Sequence, residues 1–210
     1  MKRYHTLRTY TAMDLAESDS EKADDTAIGT IGITKSRDYI WLERWTCKGS
    51  DTVESMIEMF RQMRICKCSQ GFIEKNRAES LLRTIRKVAP TGLYGEYETI
   101  LPLIAKLRLI AHYTTSKMDR FEQNITPVTQ SKKLWIKDNW KDIKAFFELY
   151  PAVEHDDLGD VADMILEHGR PPTSDFASAV RTTNPREHTS GDVNEYFARK
   201  KYNPYTGVCH

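Results

Sequence analysis

His155-Asp156-Asp157-Leu158-Gly159-Asp160 opens the last apolar-periodic stretch of the chain, and its reading decides what the preceding residues are folded to support. Leu158, Val161, Ala162, Ile165 and Leu166 recur at helical spacing up to Gly169, so one face of a helix is apolar. Asp156, Asp160 and Asp163 fall on another face, and Asp157 stands near the border between them. Taken alone, such a stretch is an acid-capped helix with a solvated face, because the free N–H groups of a first turn favour an anion. That reading gives way if other segments deliver carboxylates to the same point.

Working outward, the segments before it supply a sheet. Thr6 to Ala16 is rich in Thr, Tyr, Leu and Met and reads as a strand running into Asp14. The polar loop Glu17 to Asp25 leads to Thr26–Thr34 as a second strand, and the turn Ser36-Arg37-Asp38 leads to Tyr39–Cys47 as its antiparallel partner. The period then changes. Val53, Ile57, Phe60 and Met63 follow the cap pair Ser50-Asp51 and mark a helix to about Ile65. Gly71-Phe72-Ile73-Glu74 is a short fourth strand ending in a carboxylate, and Arg77 to Val88 is a helix stopped by Pro90-Thr91-Gly92. Glu96 to Tyr113 reads as a helix passing into a strand, and Ser116 to Gln123 as a helix start carrying Lys117 and Arg120. Leu134-Trp135-Ile136 is a short apolar segment between lysines, and Trp140 to Tyr150 is a helix ended by Pro151.

Composition bounds the function. With 210 residues and 40% hydrophobic content the chain can bury one substantial core, so one domain over residues 1–169 is expected, followed by a flexible tail over 170–210 rich in Pro, Thr, Ser and Gly. Thirty-one Lys and Arg balance thirty Asp and Glu, so any basic groove must come from local clustering. Cys47, Cys66, Cys68 and Cys209 lack the paired spacing of a structural zinc site, and reduced thiols are expected. No apolar run reaches the ~20 residues that span a bilayer, and the start of the chain has no signal-peptide core, so no membrane partner is expected.

Asp14, Glu74 and Asp157 then have addresses: the end of the first strand, the end of the fourth, and the start of the last helix. If the first strand is central beside the fourth, with the last helix over the sheet, all three reach the same divalent ions. Mg²⁺ and Mn²⁺ prefer hard oxygen ligands, and two such ions ~3.5–4 Å apart activate water and stabilise a leaving phosphate-ester oxygen. The chemistry this implies is phosphodiester hydrolysis.

Asp14-Leu15-Ala16, Asp24-Asp25-Thr26-Ala27-Ile28, Gly71-Phe72-Ile73-Glu74-Lys75-Asn76, Lys117-Met118-Asp119-Arg120 and His155-Asp156-Asp157 occur in that order. In this the chain resembles the nuclease domain of a tailed-bacteriophage terminase large subunit, over roughly residues 6–169. The resemblance implies an α/β, RNase H-like mixed sheet flanked by helices. It also implies two divalent metal ions held by Asp14, Glu74 and Asp157, with Asp156 as a neighbouring ligand. Lys117 and Arg120 are expected to face the site or the phosphate backbone, with Lys132, Lys133 and Lys137 as further DNA contacts.

The implied function is cleavage of concatemeric viral double-stranded DNA, with little sequence preference, in the cytoplasm of an infected bacterial host. The implied partners are double-stranded DNA, the portal protein and the small terminase subunit. The chain lacks a Gly-x-x-x-x-Gly-Lys-Ser/Thr phosphate loop, so it is not expected to hydrolyse ATP. An excised nuclease domain, normally preceded by an ATPase motor, fits that departure. Two alternatives share these features: a non-catalytic DNA- or portal-binding module, and an RNase H-like junction resolvase. In the tail, Tyr196-Phe197-Ala198-Arg199-Lys200-Lys201-Tyr202 mixes aromatics and cations and is expected to order on a partner.

Overall fold

Residues 7–16, 25–48, 52–92, 97–110, 115–149 and 157–173 are described in a computed structural model of the chain. Strands β1 (Arg8–Asp14), β2 (Asp25–Ile33) and β3 (Tyr39–Lys48) follow one another as antiparallel neighbours. Their Thr, Ile, Tyr and Trp residues suit a pleated surface, where branched and aromatic side chains pack against cross-strand neighbours. The β2–β3 turn is closed by Thr34, whose hydroxyl accepts from the Asp38 backbone N–H at 2.9 Å.

The chain then crosses over through α1 (Thr52–Ile65) to β4 (Gln70–Glu74), which lies parallel to β1. A second crossover uses α2 (Lys75–Val88), a 3-10 turn at Ala89–Thr91 and α3 (Tyr97–Ile104), and reaches β5 (Leu107–Ile110), parallel to β4. Gly92 follows the turn at φ 77°, a left-handed conformation that favours glycine. The last elements are α4 (Lys117–Gln130), the two-residue β6 (Leu134–Trp135) beside β3, α5 (Lys141–Leu149) and α6 (Asp157–His168).

The sheet order is β5-β4-β1-β2-β3-β6, a six-stranded mixed sheet with β1 in the interior beside β4. The architecture is therefore the expected α/β mixed sheet flanked by helices. One face carries Tyr10, Ala12, Ile31 and Phe72 against α4, α5 and α6. The other carries Met13, Ile28 and Ile73 against α1, α2 and α3. A bulge divides β3 between these cores. Thr30 pairs with Glu43 and Ile31 with Trp41, so Leu42 is an extra residue. Because side chains alternate with period two, the extra residue sends Trp41 into the first core and Trp45 into the second.

Two glycines let α6 lie close. A Cβ on Gly29 of β2 would stand 2.8 Å from Val161 Cγ1 and 3.0 Å from Trp41 Cζ2. A Cβ on Gly159 would stand 2.8 Å from Phe121 Cζ and would run into the ring of Phe146. Both approaches are tighter than side-chain packing normally allows, so α6 meets β2 on bare backbone at Gly29, and at Gly159 it leaves room for the rings of α4 and α5.

The solvated face read for α6 is not what forms. Asp163 is fully buried, because Arg120 and Asn124 of α4 pack across that side of the helix, and Asp157 is 8% exposed. The chain stays tied to the sheet just past the helix, where Tyr10 Oη donates to the Arg170 carbonyl at 2.8 Å and accepts from its N–H at 3.0 Å. The expected tail lies outside the described residues from position 174 onward, as do the cap pair Ser50-Asp51 and the expected ligand Asp156.

Candidate active site

Strand register places the first two carboxylates. The parallel pairing of β1 with β4 runs Ala12 to Phe72 and Met13 to Ile73, so Asp14 and Glu74 are the next step at adjacent strand ends. Neighbouring strands lie ~4.8 Å apart. Met13 and Ile73 point into the α1–α3 core, and alternation turns Asp14 and Glu74 to the opposite face, the one covered by α6. The first turn of α6 contributes Asp157 and, three residues on, Asp160.

These carboxylates sense one another. The carboxyl of Asp14 is pushed up to about 8 from its ordinary 3.8, first by burial, then by the charges of Asp160, Glu74 and Asp157, while Lys117 pulls it back down. The three acids expected from sequence are thus in electrostatic contact around Asp14, and the structure adds Asp160 to them. The sequence holds a signal for Asp160, its spacing of three residues from Asp157, but the same spacing also fits a solvated acidic stripe.

Two cations come from the start of α4, whose N-terminus is fixed by a reciprocal cap. Ser116 Oγ accepts from the Asp119 backbone N–H at 3.2 Å and donates to the Asp119 carboxylate at 2.7 Å. This cap points the first turn at α6. Lys117 Nζ lies 2.5 Å from Asp160 Oδ2. Arg120 spans two acids, with Nη2 at 3.1 Å from Asp160 Oδ1 and Nη1 at 3.3 Å from Asp163 Oδ2. Asn124, one turn further along α4, donates to Asp163 Oδ1 at 2.7 Å. Arg120 is therefore not on a solvated helix face; its side chain is only 12% exposed.

Lys132 and Lys133 stand elsewhere. The backbone carbonyl of Lys133 accepts from the Tyr39 N–H at 2.8 Å, and Tyr39 pairs with Ile33, which pairs with Arg8 at the start of β1. Asp14 is at the other end of that strand. Six residues at ~3.3 Å each, combined with three strand spacings of ~4.8 Å, separate these lysines from the carboxylates by about 25 Å.

Among the described residues no three His, Cys, Asp or Glu side chains stand close enough together, as folded, to hold a metal ion. What fits a divalent cation is the type of donor, all hard carboxylate oxygens, and the repulsion that Asp14 bears from its neighbours. A cation placed there would relieve that repulsion.

No protein-family model matches the chain, and no curated protein matches it in sequence. Among solved structures, it is similar to the crystal structure of a yeast mitochondrial Holliday junction resolvase, at 11% identity and a TM-score of 0.40, over 81% of this chain and 85% of that one. At so low a score and identity, the chemistry assigned to this chain rests on its own residues. No helix among the described residues is long and apolar enough to cross a membrane.

Proposed function

We propose that the chain is a nuclease that hydrolyses phosphodiester bonds with divalent metal ions. The observation that supports this best is the placement of Asp14 and Glu74 on adjacent ends of parallel strands, where the charges of Glu74 and of Asp157 and Asp160 from the first turn of α6 bear on Asp14. Asp14, Glu74 and Asp157 would hold Mg²⁺ or Mn²⁺, which would supply an activated water and charge neutralisation at the leaving oxygen. The sheet holds two of these side chains rigidly and α6 holds the third. Asp156, next to Asp157 in sequence, is proposed as a further ligand.

Lys117 and Arg120 pair with Asp160, and Arg120 also with the buried Asp163; Lys117, the more exposed of the two cations, is the one proposed to meet substrate phosphate. In the finer reading the substrate is concatemeric viral double-stranded DNA cut during packaging. The portal protein, a small terminase subunit and an ATPase motor are then the partners, a reading supported by the order of the short motifs.

The test uses protein free of host nuclease, with supercoiled plasmid, linear duplex and a four-way junction as substrates in Mg²⁺ or Mn²⁺. Plasmid and duplex are expected to be cut, and Asp14→Ala, Glu74→Ala and Asp157→Ala are each expected to abolish cutting while remaining folded. Unchanged nicking by all three variants sinks the assignment. Selective cutting of the junction would make the chain a resolvase, and DNA binding without cutting in any metal would make it a non-catalytic module.

A further inference from the structure

At the end of the sheet away from the carboxylates, the edge strand β6 and the β2–β3 turn form a second cationic surface. Lys35 and Arg37 project from the turn, and Lys132, Lys133 and Lys137 flank β6. The turn and the edge are joined, since Lys133 Nζ donates to the Ser36 carbonyl at 3.4 Å. The acids next to them are engaged: Asp138 pairs with Lys144 at 2.7 Å, Asp142 with Arg44 at 2.5 Å, and Asp38 accepts from the hydroxyls of Thr34 and Ser36.

Lysines alone would have an ordinary explanation, since cations on an edge strand discourage pairing with another chain. Trp135 does not share it. It lies in the middle of the lysines with 53% of its surface exposed, while Ile136 beside it packs into the core. A guarded edge does not require a bare indole.

We propose that this surface binds an unpaired strand of nucleic acid, with Lys132, Lys133 and their neighbours on successive phosphates and Trp135 stacked on a base. A face of an indole accepts any base, and flanking cations track the backbone, which is the pairing of features that holds single strands without sequence preference. Duplex DNA offers no open base face, so Trp135 makes the surface selective for frayed or single-stranded segments. The inference rests on the nucleic-acid reading of the chain but not on its cleavage chemistry, and lies about 25 Å from the carboxylates by the strand spacings.

The experiment measures binding of a fluorescein-labelled oligothymidine by anisotropy in metal-free buffer, together with quenching of tryptophan emission. Trp135→Ala is expected to weaken binding about tenfold and Trp135→Phe to retain most of it while losing the quench. Lys132→Glu with Lys133→Glu is expected to weaken it further and to flatten the salt dependence by about two phosphate contacts. Binding and quenching unchanged in the Trp135 and lysine variants would overturn the proposal even if plasmid is cut. Weakened binding in Trp135→Ala and in the lysine variant, with the quench lost in Trp135→Phe, would support it even if no substrate is cut, so the two readings fail separately.

Discussion

The ammonium of Lys117 and the carboxylate of Asp160 stand 2.5 Å apart, one from the first turn of α4 and the other from the first turn of α6. The pair sits at the rim of the acidic cluster, and Asp160 is the charge that bears most on Asp14. Asp160→Asn should therefore lower the affinity of the cluster for Mn²⁺ by about 10–100-fold, the usual effect of removing a group that supports metal ligands. A titration of cutting rate against Mn²⁺ concentration checks this, with an unchanged midpoint counting against a role for Asp160.

Asp14 gives a pH prediction with a definite sign. Its carboxyl titrates near 8 in the folded chain against an ordinary 3.8, so the folded state holds the proton more tightly than the unfolded state. This group favours folding most below 3.8, loses that contribution as pH climbs toward 8, and adds no further change above it. In metal-free buffer near neutral pH, Asp14→Asn should then melt higher than the unaltered chain while being unable to cut. The gain should be about 2–4 °C for each kcal/mol of repulsion removed, and should vanish toward pH ~4. Equal melting temperatures across that range would contradict the crowding of Asp14.

Gly159 tests whether the approach of α6 positions the site. Alanine is the better helix former by about 1 kcal/mol, so propensity alone favours Gly159→Ala. The Cβ would run into the rings of Phe146 and Phe121, however, and α6 carries Asp157 and Asp160 on either side of Gly159. The substitution should cost stability by about 1–3 kcal/mol and reduce cutting by more than the loss of folded protein explains. A urea melt read alongside the cutting rate separates the two effects.

Arg120 holds a buried acid. Asp163 has no exposed surface, and burial raises its carboxyl above the ordinary value while Asn124 and Arg120 draw it down. Arg120→Met should destabilise the chain by about 3–5 kcal/mol, because it strands a charge that has been taken out of water. Combining it with Asp163→Leu should recover most of that loss. Similar denaturation midpoints for the single and double variants would contradict the coupling.

Much of the architecture was legible because local patterns carried it. Thr9 to Asp14 and Ile28 to Ile33 have the alternation and branching of strands, and Ser116-Lys117-Met118-Asp119 is a cap that announces α4. Asp14 and Glu74 were readable as strand-end acids, but their level placement is a matter of register between segments some sixty residues apart. Polar periodicity read Asp163 as solvated, since a helix pattern shows which face is polar and not whether a second helix bearing Arg120 and Asn124 will cover it. Lys132 and Lys133 follow α4 closely in sequence, yet pairing with Tyr39 carries them to the far end of the sheet. The bulge at Leu42, which redirects Trp41, had no local signal.

The claim on which the rest depends is that Asp14, Glu74 and Asp157 form a divalent-cation site. Crystals of the chain soaked in Mn²⁺, with anomalous diffraction collected at the manganese edge, test it most directly. The account predicts an anomalous peak between the carboxylates of Asp14 and Glu74 within reach of Asp157, and its loss in Asp14→Asn. Manganese bound elsewhere on the chain, with no density between those strand ends, would contradict it.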